Sequence, residues 1–167
     1  QSLIKPGGLS PKDAYEAQRT FSELVLLMRR IPQPIIGAIN GTAITGGFEL
    51  ALACDFLIAS TEARFADTHA RVGVVPGWGL SQRLPRLIGI NRAKELSLTG
   101  NYLDADTAYA WGLVNRVVDD DVLLPSAMST AQRIAGLPRT GVRLPKRALR
   151  TAVATEACQS MGLQRSQ

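Results

Sequence analysis

Apolar residues first recur with helical spacing, i, i+3, i+4 and i+7, at Phe21, Leu24, Val25 and Met28. This pattern predicts an amphipathic helix. Its start is marked by Ser10 as N-cap and Pro11 at the first helical position. It is expected to end near residue 30, because the prolines at 32 and 34 disfavour helical residues before them.

The next apolar runs are short and lack polar alternation. Residues 35–39 and 55–59 are therefore predicted to be strands buried on both faces. Between them, 40–42 (Asn-Gly-Thr) breaks the chain and 46–54 forms a compact helix rich in Ala and Leu. Residues 64–66 are predicted to be a brief extended piece.

The second half of the chain is mostly helical in pattern. Helices are expected at 80–88, 92–98 and 104–111, and a strand at 113–118. The acidic run 119–121 suits the start of a helix that continues to about 135. From 145, apolar residues recur every four positions, at Leu149, Val153, Ala157 and Met161. Strands alternating with helices indicate an α/β fold with parallel connections.

Composition narrows the class of protein. The 167 residues are 46% hydrophobic and 20% charged, which suits one globular domain and excludes a disordered, collagen-like or disulfide-stapled chain. Without an apolar run of roughly 18 residues, no membrane span is expected. Cys54 and Cys158 are far apart, which favours reduced thiols and a cytoplasmic location. A first residue of Gln1 instead of Met suggests a fragment.

The charge is basic, with 19 Lys and Arg against 14 Asp and Glu. The excess lies at 71–100 and 139–150, which favours a phosphorylated cofactor, RNA or an acidic surface as partner, unless these are simply solvated helix faces. The basic stretches lack the interleaved aromatic residues of base-stacking platforms. No nucleic-acid partner is therefore expected.

The segment with the clearest chemical meaning is Gly46-Gly47, which opens a helix directly after a strand, with Glu49 three residues on. Free N–H groups at a helix start stabilise negative charge, either a phosphate or the oxyanion of an enolate. Glu49 projects from the same face as Gly46, as a general acid/base would. The alternative is that Gly46-Gly47 only allows tight packing of helix against strand, with Glu49 as a charge in the first helical turn. No phosphate-loop or dinucleotide motif is present.

Several motifs agree in order and spacing with one family: 34–41, 46–55, 65–67, 73–79, 82–86, 98–100 and 105–114. Over about residues 12–150 the chain closely resembles the enoyl-CoA hydratase/isomerase (crotonase) family. The resemblance implies a ClpP/crotonase-like spiral of ββα units that acts on acyl-CoA thioesters and assembles as a homotrimer or hexamer. It implies no metal and no further cofactor, since the substrate itself carries coenzyme A.

Site residues carry over by position. Gly46, with Gly47 beside it, resembles the glycine whose N–H is one of two oxyanion-hole donors, and Glu49 resembles the first of two catalytic glutamates. Gly77 resembles the glycine that helps to hold the catalytic water. Trp78, where small residues are common, is expected to narrow the acyl pocket or else to cap the core.

The second catalytic glutamate falls on His69, the single histidine of the chain. A neutral imidazole accepts a hydrogen bond from water and can act as a base. The substitution therefore predicts altered or weaker hydration, and His69→Glu is expected to raise it. The alternative is a histidine with a purely structural role.

Family members are longer, so the chain is expected to be N-terminally truncated and to lack the second oxyanion-hole donor. Losing such a donor costs on the order of 3 kcal/mol of transition-state stabilisation. The expected organisation is a partial spiral core at 1–141 and the start of a C-terminal helical region at 142–167. The leading prediction is an enoyl-CoA hydratase. Alternatives are an enoyl-CoA isomerase and a non-catalytic paralogue that binds acyl-CoA, or RNA through residues 139–150.

Overall fold

A computed structural model of the protein describes residues 10–160. Seven helices lie in this part of the chain: Pro11–Arg30 (α1), Gly46–Ala53 (α2), Leu80–Ile88 (α3), Ile90–Thr99 (α4), Ala105–Ala110 (α5), Asp120–Ala135 (α6) and Arg139–Ser160 (α7). Its six strands are Ile36–Ile39 (β1), Thr42–Ile44 (β2), Phe56–Ser60 (β3), Arg64–Ala66 (β4), Leu103–Asp104 (β5) and Arg116–Val118 (β6). None of these helices is long and apolar enough to cross a bilayer.

The strands form two small sheets, and successive strands β1 to β4 alternate between them. The first sheet has the order β1-β3-β6, with parallel pairs, and the second has the order β2-β4-β5. In the second sheet β2 and β4 are parallel, whereas β4 and β5 are antiparallel. The chain thus repeats a strand in the first sheet, a strand in the second and a helix. The predicted α/β spiral of ββα units is confirmed.

The register of β2 and β4 brings two distant segments together. Ile44 lies opposite Ala66, at the end of each strand. Since the strands are parallel, the chain leaves both at the same edge of the sheet. The start of α2, which carries Glu49, therefore lies beside residues 67–69, which include His69.

The main core lies between these strands and the helices that follow them. Phe48 of α2 and Phe65 of β4 are fully buried, with ring centroids 5.6 Å apart. Leu80 and Leu84 of α3 join the same cluster. This packing fixes the positions of α2 and α3 against β4, and so the frame on which the candidate site is built.

The far helix is tied to the strands by one carboxylate. Asp55 Oδ2 accepts from the Ile35 N–H and from Lys146 Nζ, both at 2.7 Å, and Asp55 Oδ1 accepts from Arg150 Nη2 at 3.3 Å. Lys146 and Arg150 are on α7, which thus docks at the start of β3.

Several expectations from the sequence are confirmed, among them α1 with Ser10 as N-cap, whose Oγ accepts from the Asp13 N–H at 3.1 Å. Others are wrong. The predicted break at residues 40–42 exists at 40–41, but Thr42 begins β2, a strand too short for a periodic pattern. Ala38 of β1 is exposed, so this strand is not buried on both faces.

Two boundaries also differ from prediction. β6 begins at Arg116 and leaves out residues 113–115. α7 begins at Arg139, and Pro145 lies inside it. Met161 of the predicted last helix lies outside the described residues, and the division at residues 141 and 142 stays a prediction.

Candidate functional site

The site begins at a strained residue between β2 and α2. Thr45 has φ 51° and ψ −119°, on the side of the Ramachandran map that favours glycine. Its N–H donates to the Ala66 carbonyl at 3.2 Å, and its hydroxyl contacts the Thr68 hydroxyl. These contacts go to the last residue of β4 and to the segment that follows it, so they hold the turn that orients the first residue of α2.

That first residue is Gly46. A helix leaves its first N–H groups without intrahelical acceptors, at the positive end of its dipole. Within residues 10–160 the Gly46 N–H has no acceptor. An ideal Cβ at Gly46 would lie 2.6 Å from Trp78 Cζ3, so only glycine fits beneath the indole. The arrangement leaves a backbone donor available to a negatively charged oxygen.

Glu49 lies one turn into α2 and is 2% exposed. Its Oε1 accepts from the Trp78 N–H at 2.7 Å and from the Leu80 N–H at 3.2 Å. Leu80 is the first residue of α3, so the carboxylate lies at the positive end of that helix dipole. Two charge-assisted bonds orient the group and compensate for its burial. Glu49 is therefore a buried, hydrogen-bonded carboxylate in the first turn of α2.

His69 lies on the other side of the Glu49 carboxylate. Its Nε2 is 3.6 Å from Glu49 Oε2, and its Nδ1 is 2.6 Å from Asp67 Oδ1. The exposed fractions are 6% for His69 and 1% for Asp67. The structure thus aligns a carboxylate, an imidazole and a second carboxylate in a buried row.

Trp78 covers the start of α2. Its indole packs over Gly46, and its ring centroid is 5.0 Å from that of Phe21 on α1. Gly77 precedes it in the loop before α3, and Gly47 is exposed with open space where a Cβ would lie. Of the residues proposed from the sequence, the structure brings Gly46, Glu49, His69 and Trp78 together. The binding roles of Gly47 and Gly77 stay predictions.

Sequence reasoning missed four contributors: Asp67, Thr45, Thr68 and the Leu80 N–H. Asp67 has a recognisable signal, because an Asp two residues before a His can accept from that residue's own backbone N–H. This bond exists here, with His69 N–H to Asp67 Oδ1 at 3.2 Å. The other three depend on contacts between segments and have no local signal.

A cavity of about 690 Å³ lies elsewhere, between the end of α1, α2 and α7, and does not include Glu49 or His69. Arg83 and Cys54 line it. Burial, followed by the positive charges of Arg29 and Arg150, lowers the pKa of Arg83. Burial, followed by Asp55, raises the pKa of the Cys54 thiol. Among the residues that the structure describes, no group of His, Cys, Asp and Glu is arranged to hold a metal ion.

Repeated ββα units, with a helix that opens on Gly-Gly above a buried glutamate, define a crotonase-like fold. The solved enoyl-CoA hydratase of Bacillus anthracis matches with a TM-score of 0.85 and 38% identity, over 93% of this chain and 60% of that one. The family model for enoyl-CoA hydratase/isomerase matches residues 5–166. The chain belongs to the enoyl-CoA hydratase/isomerase family.

Two relatives show the range of named activities. A probable peroxisomal enoyl-CoA hydratase 1 of Arabidopsis thaliana is 57% identical over 110 residues, which are 66% of this chain and 42% of that protein. The 1,2-epoxyphenylacetyl-CoA isomerase of Escherichia coli is 35% identical over 162 residues, 97% of this chain and 62% of that protein. The chain therefore spans between 42% and 62% of the length of these relatives.

Proposed function

We propose that the protein is an enoyl-CoA hydratase that adds water to the double bond of a 2-enoyl-CoA thioester. The observation that carries this proposal is the buried pair of Glu49 and His69, 3.6 Å apart. Glu49 is on α2, the helix that begins with the unpaired N–H of Gly46. A donor for a thioester oxygen and two proton-transfer groups are what the addition of water requires.

The reaction begins with the thioester carbonyl oxygen on the Gly46 N–H. The oxygen of water forms a bond to Cβ, and the electron pair of the double bond moves through Cα to the carbonyl oxygen. The Glu49 and His69 pair takes one proton from water and returns one proton to Cα as the carbonyl re-forms. The product is a 3-hydroxyacyl thioester. The steps are one nucleophilic addition of water and two proton transfers, and the proposal includes no metal and no cofactor besides the coenzyme A of the substrate.

The acyl side of the substrate is proposed to pass Trp78, with Gly47 and Gly77 as neighbouring contacts. The indole is held between Gly46 and Phe21, so it limits the space next to the oxyanion donor. We therefore expect a preference for short acyl chains.

A double-bond isomerase is the second candidate. It needs one base that moves a proton between two carbons and no held water, which suits a site with histidine in place of the second glutamate. The Escherichia coli relative is named an isomerase. A non-catalytic protein that binds acyl-CoA is the third reading.

Turnover of crotonyl-CoA by the full-length protein separates these readings. The hydratase proposal expects a product heavier than substrate by one water, and a fall in kcat of at least about 10²-fold in Glu49→Gln. The amide oxygen of glutamine can keep both backbone bonds, so folding is preserved. Glu62→Gln, an exposed glutamate in the turn before β4, is the matched control.

Each contrary result has one meaning. A product of unchanged mass with a moved double bond favours the isomerase. Retention of acyl-CoA without turnover favours the binding protein, and an unchanged rate in Glu49→Gln removes Glu49 from the mechanism. RNA affinity that falls steeply with salt and survives excess coenzyme A contradicts the expectation of no nucleic-acid partner.

We also propose a cytoplasmic location and a homotrimeric or hexameric assembly. The location is supported by Cys54, which is not in a disulfide, although the Arabidopsis relative is named peroxisomal. Cell fractionation tests the location, and light scattering coupled to gel filtration tests the assembly.

A further inference from the structure

We infer that Asp67 is a positioning residue that fixes the His69 imidazole with its Nδ1 proton directed at Asp67 and its Nε2 atom directed at Glu49. The inference rests on the proposed function only in what it predicts for catalysis. Its structural part concerns which ring nitrogen carries the proton.

The geometry places two bonds on a single carboxylate oxygen. Asp67 Oδ1 lies 2.6 Å from His69 Nδ1 and 3.2 Å from the His69 backbone nitrogen. An ionised carboxylate only accepts hydrogen bonds, so the ring nitrogen that it contacts must be the donor. The backbone bond to the same oxygen restricts rotation of the ring.

The other ring nitrogen is thereby left as the acceptor in the neutral imidazole. In histidine, the hydrogen bond made by one nitrogen sets the protonation of the other. Nε2 faces Glu49 Oε2 at 3.6 Å, longer than a hydrogen bond. The Nε2 lone pair is therefore directed toward the proposed reaction site, next to the one carboxylate oxygen that no backbone N–H holds.

Burial makes this orientation effective. Asp67 is 1% exposed and His69 is 6% exposed, so bulk water does not compete for either group. A histidine with an exposed ring would exchange between tautomers. This ring instead has Asp67 as the acceptor at Nδ1 and the Glu49 carboxylate beyond hydrogen-bond distance at Nε2. Asp67 thus gives His69 the fixed proton position that a base in place of the second glutamate requires.

The first test observes the ring directly. Nitrogen-15 NMR of histidine-labelled full-length protein, at a pH where the imidazole is neutral, is expected to show Nδ1 protonated and Nε2 bare. The His69→Gln variant assigns the signals. In Asp67→Ala the Nδ1–H loses its acceptor, and a measurable fraction of molecules is expected to carry the ring proton on Nε2 instead. A wild-type spectrum dominated by the Nε2-protonated form, or one unchanged in Asp67→Ala, overturns the inference.

The second test separates positioning from folding. Asp67→Asn keeps the size and an acceptor oxygen but removes the charge, and we expect kcat to fall about 10- to 100-fold, by analogy with carboxylates that orient metal-bound histidines. KM is expected to change less than about twofold, because Asp67 does not touch the substrate. The exposed Asp106→Asn on α5 is the control.

The outcomes stay distinct from those of the proposed function. If no 2-enoyl-CoA is turned over, the proposed function fails, and the NMR result still decides the tautomer. If Glu49→Gln abolishes turnover while Asp67→Asn leaves kcat unchanged, the proposed function stands and the positioning role is refuted.

Discussion

The contact between Gly46 and Trp78 yields a prediction that is independent of activity. Gly46→Ala adds a Cβ that would lie 2.6 Å from Trp78 Cζ3 and 3.2 Å from Cη2. Carbon atoms in proteins pack at about 3.5 to 4.0 Å, so the indole must move by about 1 Å. It is backed by Phe21, with ring centroids 5.0 Å apart, so the movement disturbs that packing too.

The expected cost follows from overpacking. Inserting a methyl group into a packed region destabilises a protein by about 1 to 3 kcal/mol. For a chain of this size, each kcal/mol lowers the melting temperature by about 2 to 4 °C, so a cost of 2 kcal/mol gives a decrease of about 4 to 8 °C. Thermal unfolding followed by circular dichroism measures this change.

The neighbouring glycine provides a matched control. A Cβ at Gly47 meets nothing within 4 Å, and Gly47 has no positive φ. Gly47→Ala is therefore expected to stabilise the protein by about 0.4 to 1 kcal/mol, through the unfolded chain. In a Trp78→Leu background the cost of Gly46→Ala should largely disappear, with a coupling of about 1 to 3 kcal/mol. Equal costs of Gly46→Ala in both backgrounds would refute the predicted clash.

Four further changes test other parts of the molecule. Asp104→Ala removes the N-cap of α5, where Asp104 Oδ1 accepts from the Thr107 N–H at 2.7 Å, at a cost of about 1 kcal/mol by urea unfolding. The hydrogen bonds from Thr107 lower the pKa of Asp104, so its stabilisation is present above the unfolded-state pKa, and the gap between wild type and variant should close as the pH falls below about 4. Lys146→Met removes the 2.7 Å contact with Asp55 and should cost about 1 to 3 kcal/mol and speed proteolysis of α7, whereas the exposed Lys94→Met should not. Trp78→Leu should raise kcat/KM for longer acyl chains about 10-fold relative to crotonyl-CoA. The position of His69 between Asp67 and Glu49 revises the expectation that His69→Glu raises hydration. Alone, this change puts a third carboxylate beside the other two and should not raise hydration, whereas His69→Glu with Asp67→Asn should; a gain from the single change would contradict this electrostatic argument.

The features that follow from local sequence were predictable. The helix starts at Ser10 and Gly46 depend on residues a few positions apart, as does the position of Glu49 one turn after Gly46. The hydrogen-bond partners of Glu49 were not predictable, because the Trp78 and Leu80 N–H groups lie 29 and 31 residues away in sequence. They contact Glu49 only through the packing of α3. His69 was placed by family resemblance, since a lone histidine gives no spacing to read.

β2 and the conformation of Thr45 were not predicted for the same reason: both depend on contacts between segments that are distant in sequence. A strand of three residues, Thr42–Ile44, has no period, and its evidence is the pairing with β4. A β-branched residue with positive φ is a rare conformation that local preferences oppose, at a cost of about 1 to 3 kcal/mol. The contacts of Thr45 with Ala66 and Thr68, and the bond from the Glu49 N–H to the Thr45 carbonyl, hold it there.

Those contacts connect backbone strain to the proposed chemistry. Thr45 precedes the Gly46 N–H, and Thr68 lies between Asp67 and His69, so one hydroxyl pair joins the oxyanion segment to the imidazole segment. A slip of one residue between β2 and β4 would break the pairing of Ile44 with Ala66 and shift the segment that carries Asp67 and His69 relative to Glu49. A glycine at position 45 would adopt this φ without strain but would lose the hydroxyl. Threonine at position 45 is therefore strained, but its hydroxyl fixes the register between the segment with Gly46 and the segment with His69. The 3.6 Å distance between His69 Nε2 and Glu49 Oε2 requires that fixed register.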